Sequence, residues 1–256
     1  MSGPGPDITE PERRTGKEGG KMSKDFYAEI ASCVRRGTEQ IEYCKILVEQ
    51  KIEEDKTALL LKRENEAVPD ASIGRLWHHL EITLGNTFRY TLLSGVCAVV
   101  EECLIAIVDR LIPEETARKK ALKKAEAEIR ATNGWANWLQ SRIQLISTIA
   151  NLNLTTQFRS DVAQFTDVIS LRNCIGHAWG NLERADYAEQ VRDAVEKLAS
   201  EEKRQNCEFA CLSPDGYLVL GRDMISHALF LAVEIVDFVC ERLAQQAHSG
   251  QATSQK

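Results

Sequence analysis

The segment from Leu92 to Ile112 is the most apolar stretch of this 256-residue chain, and it limits what the chain can fold into. It is long enough for a helix of about six turns. Four charged residues interrupt it, namely Glu101, Glu102, Asp109 and Arg110. Because a membrane-spanning helix rarely carries so many charges, the segment is predicted to be a central helix in a protein core.

Helical periodicity also dominates the rest of the chain, which has only six prolines and fifteen glycines among its residues. One segment has a β pattern: Cys207, Phe209 and Cys211 alternate with polar or small residues, a Ser-Pro-Asp-Gly turn follows, and an apolar stretch returns from Tyr217 to Leu220. We therefore predict an all-α fold, an up-and-down helical bundle with one short β-hairpin at about 207–220.

Composition divides the chain into four parts. Residues 1–22 and 247–256 are polar and are predicted to be disordered tails. Residues 73–246 form the helical domain. Residues 23–67 form an extra long N-terminal helix or a helical hairpin, with apolar residues near a heptad spacing. That helix either docks on its own domain or pairs with a second copy, and the pattern leaves both alternatives open.

Charge and cysteine usage restrict the partners and the compartment. The formal net charge of −6 argues against non-specific wrapping of nucleic acid over the whole surface, although a local basic patch is compatible with it. The first twenty residues contain no apolar secretory segment, and the eight cysteines are scattered singly. We therefore expect a cytoplasmic protein with free thiols, not associated with a membrane.

No metal site is predicted. His78 and His79 are adjacent and face different sides of a helix, so they are poorly placed to hold one metal ion. Cys207 and Cys211 are expected to pack on the same apolar face of a strand as Phe209. Neither pair has a second ligand pair near it in the sequence.

The most informative motif follows an amphipathic helix. Its apolar positions step by four, three and four residues and comprise Phe158, Val162, Phe165 and Ile169. Continuing these steps leads to Arg172 and Gly176, so a guanidinium occupies a position where the pattern asks for an apolar residue. His177 comes five residues after Arg172. Because five residues span about 140° of an ideal helix, Gly176 is expected to end or kink the helix between them.

The segment Arg172-Asn173-Cys174-Ile175-Gly176-His177 resembles the Arg-x4-His motif of the HEPN superfamily. A polar residue often follows the arginine in that family, and Asn173 stands there in this chain. The flanks agree, because an amphipathic helix precedes the motif and a long closing helix follows. The resemblance covers about residues 88–246 and implies a HEPN-like helical bundle.

By this resemblance the chain is expected to be a metal-independent endoribonuclease that needs no cofactor. His177 would transfer protons, Arg172 would neutralise phosphate, and Asn173 would orient the imidazole or donate to the phosphate. Attack by the 2′-OH would leave a 2′,3′-cyclic phosphate and a 5′-OH. The resemblance further implies a homodimer with a composite site at its two-fold axis. A toxin–antitoxin or antiviral-defence setting is also implied, with an antitoxin or defence component as partner.

Two further features concern RNA. A predicted helix after Pro113 carries a surplus of positive charge, and its Lys119, Lys120 and Lys123 are candidate phosphate contacts, with a solvated helix face as the alternative. Trp179 stands two residues after His177, where HEPN toxins paired with nucleotidyltransferases usually have a modified tyrosine. Control by that modification is therefore not expected, and Trp179 is a candidate for stacking on a base or for packing at the helix end.

A non-catalytic alternative remains open. Arg172 could form a core ion pair with Glu101 or Glu102, and His177 could simply occupy a helix C-terminus, where the helix dipole favours it. The chain would then be a catalytically inactive HEPN-like binding or assembly module, or an unrelated helical interaction protein.

Overall fold

The computed structural model describes residues 24–66, 70–154 and 159–253. The helices are α1 (Lys24–Glu66), α2 (Asp70–His78), α3 (Gly85–Leu111), α4 (Glu115–Asn133), α5 (Trp138–Ile149), α6 (Arg159–Ala178), α7 (Ala188–Gln205) and α8 (Met224–Thr253). A π-helix (His79–Leu84) joins α2 to α3, and a 3₁₀ turn (Leu182–Arg184) follows α6. The antiparallel hairpin consists of β1 (Ala210–Leu212) and β2 (Leu218–Leu220), so the predicted all-α class with one short hairpin is confirmed.

The ends of the helices differ in part from the predictions. The N-terminal segment is one continuous helix and not a helical hairpin. The closing helix α8 extends to Thr253, beyond the predicted end at Gln246. The predicted tail at residues 1–22 and the first apolar position of the motif helix, Phe158, lie outside the described residues.

Helix α3 is the centre of the core, as predicted from its composition. Leu93, Val96, Val100, Leu104 and Ile107 are fully buried, and α1, α5, α6 and α8 all pack around this helix. Within the described residues one helical stretch, Ala71–Leu111, is long and apolar enough to cross a membrane. A core helix passes the same test of length and composition, and this stretch is 44% buried inside the fold over its most apolar window.

Helix α1 docks along α3 and α8 with one face. Tyr27, Ile30 and Val34 are buried in the common hydrophobic core. The approach to α3 is close, because a Cβ atom at Gly37 would lie 3.0 Å from a methyl group of Val99. Of the two predicted alternatives, docking of this helix on its own domain is therefore observed, and it involves the inner face of α1.

A buried ion-pair network connects α1 to α3 farther along. The guanidinium of Arg89, 3% exposed, donates to both carboxylate oxygens of Glu49 at 2.7 and 2.8 Å. The ammonium of Lys56 contacts the carboxylate of Glu81, which lies on the π-helix. The wider turn of the π-helix thus brings Glu81 to both buried cations, since Glu81 also lies 3.5 Å from Arg89.

The hairpin is attached to α3 by buried polar side chains. Asn86 donates to the carbonyl oxygen of Leu218 at 2.9 Å and accepts from the backbone N–H of Leu220 at 2.9 Å. The hydroxyl of Tyr90 also donates to the Leu218 oxygen. These bonds satisfy strand groups that would otherwise be buried without partners.

The prediction that both hairpin cysteines pack beside Phe209 was wrong for Cys211. Phe209 and Ala210 are both buried, although they are adjacent, because β1 begins only at Ala210. Cys211 faces solvent and Cys207 is half-buried. The alternation therefore does not run through a strand from residue 207, and the two thiols do not share one apolar face.

Candidate functional site

A cleft of about 380 Å³ lies between three parts of the fold. One wall is the loop between α4 and α5, the second is the C-terminal half of α6, and the third is the start of α7. The cleft is lined by Arg130, Gly134, Trp135, Ala136, Asn137, Trp138, Ser170, Asn173, Cys174, His177, Ala185, Asp186, Tyr187, Gln190 and Val191. A concave site of this size that mixes aromatic and polar groups fits part of a small ligand or one nucleotide.

The α4–α5 loop has a defined conformation. Gly134 ends α4 with φ 77°, a left-handed conformation that glycine adopts without steric cost. Asn137 caps α5, accepting from the N–H of Gln140, whose side chain in turn accepts from the N–H of Asn137. The amide of Asn137 also donates to Thr166 of α6 at 3.3 Å. Trp135 in this loop and Trp138, the first residue of α5, therefore flank a cap residue that is hydrogen-bonded to α6.

The second wall places two of the three predicted catalytic residues together. Asn173 and His177 are one helical turn apart on α6, and both line the cleft. Asn173 is half-buried, whereas His177 is exposed at the cleft mouth. The imidazole is therefore open to a ligand that enters from solvent.

Arg172 does not line this cleft. Its guanidinium donates to the side-chain oxygen of Asn173 at 3.2 Å. Burial raises the pKa of the Cys97 thiol on α3 to about 12, and the nearby positive charge of Arg172 counteracts that rise. Arg172 thus lies between α6 and α3, half-buried and next to the cleft wall.

The predicted ion pair of Arg172 with an acidic residue of the core helix is not formed in the described part of the chain. Glu101 lies 3.1 Å from Arg142 of α5 instead, and Glu102 is exposed. Arg172 has no carboxylate within 4.0 Å among the described residues, so its charge is not neutralised by a carboxylate in contact with it.

The prediction that the helix ends or kinks between Arg172 and His177 was also wrong. Helix α6 continues through Gly176 to Ala178, so the two side chains point about 140° apart within one chain. The helix ends one residue later, where Trp179 and Gly180 have φ values of 53° and 77°. A Cβ atom at Gly176 would meet nothing within 4 Å, which shows that the apolar stripe of α6 runs out into open space there.

The end of α6 is fixed by the hairpin. The carbonyl oxygen of Gly180 accepts from the N–H of Leu218 at 2.8 Å, and the N–H of Leu182 donates to Gly216 at 3.0 Å. Tyr90 packs against Gly180 so closely that a Cβ atom at Gly180 would overlap its hydroxyl. Because Tyr90 and Asn86 also hold Leu218, the core helix α3 positions the last turn of α6, and with it His177.

The predicted RNA-binding residues do not line the cleft. Lys119, Lys120 and Lys123 are exposed on α4, and Arg130 of the same helix lines the cleft. Lys123 and Arg130 are seven residues apart and therefore share a helix face, separated by about 10 Å. Trp179 is 83% exposed and does not line the cleft, so its packing role at the helix end is not supported.

Sequence analysis missed the aromatic residues of the cleft. Trp135, Trp138 and Tyr187 line it from two separate segments, and Tyr187 is 58% exposed. Each is unremarkable in its own segment, since aromatic residues at helix starts usually pack. Trp135 and Trp138 are separated from the Arg-x4-His motif by α5, and Tyr187 follows the motif after the 3₁₀ turn, so the sequence does not show their common location. A cluster of aromatic residues next to helix starts was the only indication that the sequence offered.

A second polar cluster lies on the other side of α6. His227 of α8 stacks on Phe209 with ring centroids 4.6 Å apart, and its buried Nε2 atom has no hydrogen-bond partner among the residues that the structure describes. Burial lowers the pKa of His227, against the opposing influence of Glu201 and Asp161. No group of three or more histidine, cysteine or acidic side chains suited to a metal ion occurs among the described residues.

Neither a protein-family model, nor a curated protein, nor a solved structure matches this chain. Any functional conclusion therefore depends on the chemistry of the residues around the cleft.

Proposed function

We propose that this chain is a metal-independent endoribonuclease of the HEPN type that acts at the cleft of α6. The observation that carries the proposal is the arrangement of Arg172, Asn173 and His177. His177 and Asn173 line one cleft wall, and Arg172 is hydrogen-bonded to Asn173 from behind. An exposed imidazole, an amide and a guanidinium that meets no carboxylate in the described ranges form a set of groups suited to an RNA phosphate.

In the proposed reaction His177 accepts the proton of the ribose 2′-OH, and the resulting oxygen attacks the adjacent phosphorus. The bond to the 5′-oxygen then breaks, and that oxygen takes up the proton that His177 had accepted. The products are a 2′,3′-cyclic phosphate and a 5′-OH end, with no water consumed in this step. DNA lacks the attacking hydroxyl and would not be cleaved.

Asn173 is assigned the contact to the phosphate. Its oxygen is occupied by the guanidinium of Arg172, so its NH₂ group is turned toward other acceptors. Arg172 polarises this amide and adds positive charge behind it. Within one chain Arg172 thus acts through Asn173 as a positioning residue.

The rest of the cleft is suited to an unpaired nucleotide. Trp135 and Tyr187 offer ring faces on which a base can stack, and Trp138, whose ring lies against the guanidinium of Arg142, completes the aromatic lining. Arg130 at the cleft and the α4 lysines Lys119, Lys120 and Lys123 would attract the flanking phosphates. Trp179, which follows His177 closely in sequence and is exposed, would offer its ring to a further base.

The proposal includes a homodimer that brings a second α6 to the open side of the first. The apolar stripe of α6 ends at Gly176, where space for a partner is present. Arg172 and His177 diverge on one helix, and a two-fold axis there would set the Arg172 of one copy near the His177 of the other. A cytoplasmic role in toxin activity or antiviral defence, with an antitoxin or defence partner, belongs to the same proposal.

One observation favours a second function, a catalytically inactive HEPN-like module that binds or assembles. Arg172 does not line the cleft, and the continuous helix separates it from His177. A module of this kind would bind RNA or a protein partner in the same cleft without cleaving it.

The deciding experiment incubates purified protein with total RNA in EDTA, with His177→Ala beside the wild type. His78→Ala is a matched control, because His78 is an exposed histidine on α2 that does not line the cleft. We expect cleavage by the wild type and by the control, fragments with 2′,3′-cyclic phosphate ends, and no cleavage by His177→Ala. Full activity of His177→Ala would disprove the assigned base. If the wild type and both variants bind RNA but none of them cleaves it, the inactive module is the correct function.

A further inference from the structure

The outer face of α1 is apolar at its centre, although the inner face of this helix already docks on the core. Tyr43, Ile46 and Leu47 are 63%, 53% and 48% exposed, and the thiol of Cys44 is exposed beside them. All four residues lie within two positions of residue 45. Exposed large apolar side chains that cluster in this way usually mark an interaction surface.

A longer stripe passes through this centre with heptad-like steps of four, three, four, three and four residues. It consists of Arg36, Gln40, Tyr43, Leu47, Gln50 and Glu54, all exposed. Steps of this kind keep one seam of a helix facing a partner helix. The stripe lies opposite Val34, Ile41 and Ile52, which face the protein interior, so it is available for a partner.

The stripe is complementary to itself when it is reversed. In an antiparallel pair with a two-fold axis at position 45, Arg36 faces Glu54 and Gln40 faces Gln50. At the centre, Tyr43 of each chain faces Leu47 of the other chain. The two Ile46 side chains approach each other on one side of the pair. A parallel pair in register would instead set Arg36 against Arg36. Among the described residues Arg36 has no carboxylate partner within its own chain, and its guanidinium contacts the sulfur of Cys33 at 3.3 Å.

We propose that two copies of this chain associate through an antiparallel pairing of their α1 helices, centred at position 45. The occupant of the apolar face is thus a second copy, with an Arg36–Glu54 ion pair at each end of the contact. The pairing is independent of the proposed ribonuclease activity. Gly95 and Val99 of α3 face α1, whereas Cys97 faces Arg172, so α1 and the motif helix lie on opposite sides of α3.

The contact from Arg36 to Glu54 is about 27 Å long. A single helix pair of that length buries less than the roughly 1,200 Å² of a standard stable interface. We therefore expect an association that weakens on dilution.

The test measures the mass of the full chain by light scattering and sedimentation over a dilution series. We expect Tyr43→Asp combined with Leu47→Asp to halve the mass found for the wild type at the highest concentration. Phe230→Asp is the control, because Phe230 is similarly exposed on α8 and outside the stripe. A wild type that stays monomeric throughout, or a double variant with unchanged mass, would overturn the proposal.

Charge reversal tests the antiparallel register. Arg36→Glu alone sets two acidic residues against each other at each end, and Glu54→Arg alone sets two arginines against each other. Each single variant is expected to dissociate, while an equimolar mixture of the two is expected to associate again as a heterodimer. The Arg36→Glu/Glu54→Arg double variant should also regain the wild-type mass. If the mixture stays dissociated, the register is refuted.

The native thiols offer a second measurement. In the proposed pair the two Cys44 residues are about 3 Å apart along the helix axis, whereas the two Cys33 residues are about 36 Å apart. A short bismaleimide should therefore cross-link two wild-type chains and Cys33→Ser chains, but not Cys44→Ser chains. Cross-linking that persists in Cys44→Ser would contradict the pairing.

Discussion

The guanidinium of Arg172 donates a hydrogen bond of 3.2 Å to the side-chain oxygen of Asn173, its neighbour on α6. Only Asn173 of the two lines the cleft that His177 also lines. The arginine of the motif therefore reaches the cleft of its own chain through an amide. Because of this relationship, we expect a change at Arg172 to affect the cleft.

Arg172→Lys is expected to lower kcat/KM for RNA about 10- to 100-fold, which corresponds to ~1.4–2.7 kcal/mol of transition-state stabilisation. A lysine cannot hold Asn173 and a further acceptor in the fixed fork of a guanidinium. The measurement is steady-state cleavage of a labelled oligoribonucleotide in EDTA. Arg142→Lys is the matched control, since Arg142 is also half-buried but is paired with Glu101. Equal rates for both variants would remove Arg172 from the site.

The α4 lysines are expected to act through charge alone. Replacing Lys119, Lys120 and Lys123 together by glutamine should weaken binding of single-stranded RNA. The logarithm of the association constant should then fall less steeply with the logarithm of the salt concentration, with a slope smaller in magnitude by about 2. The basic residues outside α4, such as Lys62 and Arg63 of α1, are not changed. Any difference in binding therefore comes from the three replaced lysines. Fluorescence anisotropy at several salt concentrations measures the slope. An unchanged slope would show that these lysines are only a solvated helix face.

Gly180→Ala is expected to destabilise the fold by about 2–4 kcal/mol. The left-handed φ of 77° strains any L side chain, and the new methyl group would overlap the hydroxyl of Tyr90. Gly176→Ala, four residues earlier in open space within α6, should instead stabilise by about 0.5–1 kcal/mol. Urea denaturation followed by circular dichroism compares the two, and destabilisation of similar size in both would contradict the assigned contact.

His227 is expected to make the fold less stable in mild acid. Burial lowers its pKa in the folded chain, so the unfolded chain binds the proton more readily. The resulting stability is present above the unfolded pKa of about 6.5 and is lost as the pH falls from there toward the lower folded value. Asp161 behaves oppositely, because burial raises its pKa, but its effect lies in the more acidic range of carboxyl groups.

His227→Phe should therefore flatten the dependence of the urea midpoint on pH between about pH 7 and about pH 5.5. It should also add about 1 kcal/mol of stability, because it removes a buried nitrogen for which the described part of the chain supplies no hydrogen-bond partner. A variant that keeps the full pH dependence of the wild type would show that another group is responsible.

Several elements of the fold could be predicted because local chemistry determines them. The apolar run around Leu93 and Leu104 could only be satisfied in a core, and α3 is that core. Helix α4 ends at Asn133-Gly134 for a local reason as well, because glycine readily adopts the left-handed conformation found at Gly134. The hairpin was located from its turn residues, although its strands are shorter than the alternation around Cys207 suggested.

Other features were decided by contacts between distant parts of the chain. Glycine at position 176 predicted a helix end, yet α6 continues to Ala178, because Cys174, Ile175 and Ala178 are buried and keep this turn of the helix packed on the fold. The sequence offered Glu101 as a candidate partner for Arg172. Because α5 packs on α3, however, Glu101 pairs with Arg142.

The sequence by itself determined the helical class, the central helix and the identity of the residues able to handle a phosphate and a proton, since these follow from local periodicity and side-chain chemistry. The tertiary structure alone decided which of those residues share a cleft. It placed His177 and Asn173 beside Trp135 and Tyr187, and it turned Arg172 toward α3. The physical reason is that a helix fixes the angle between its own side chains, whereas the neighbours that each side chain meets depend on how separate helices pack.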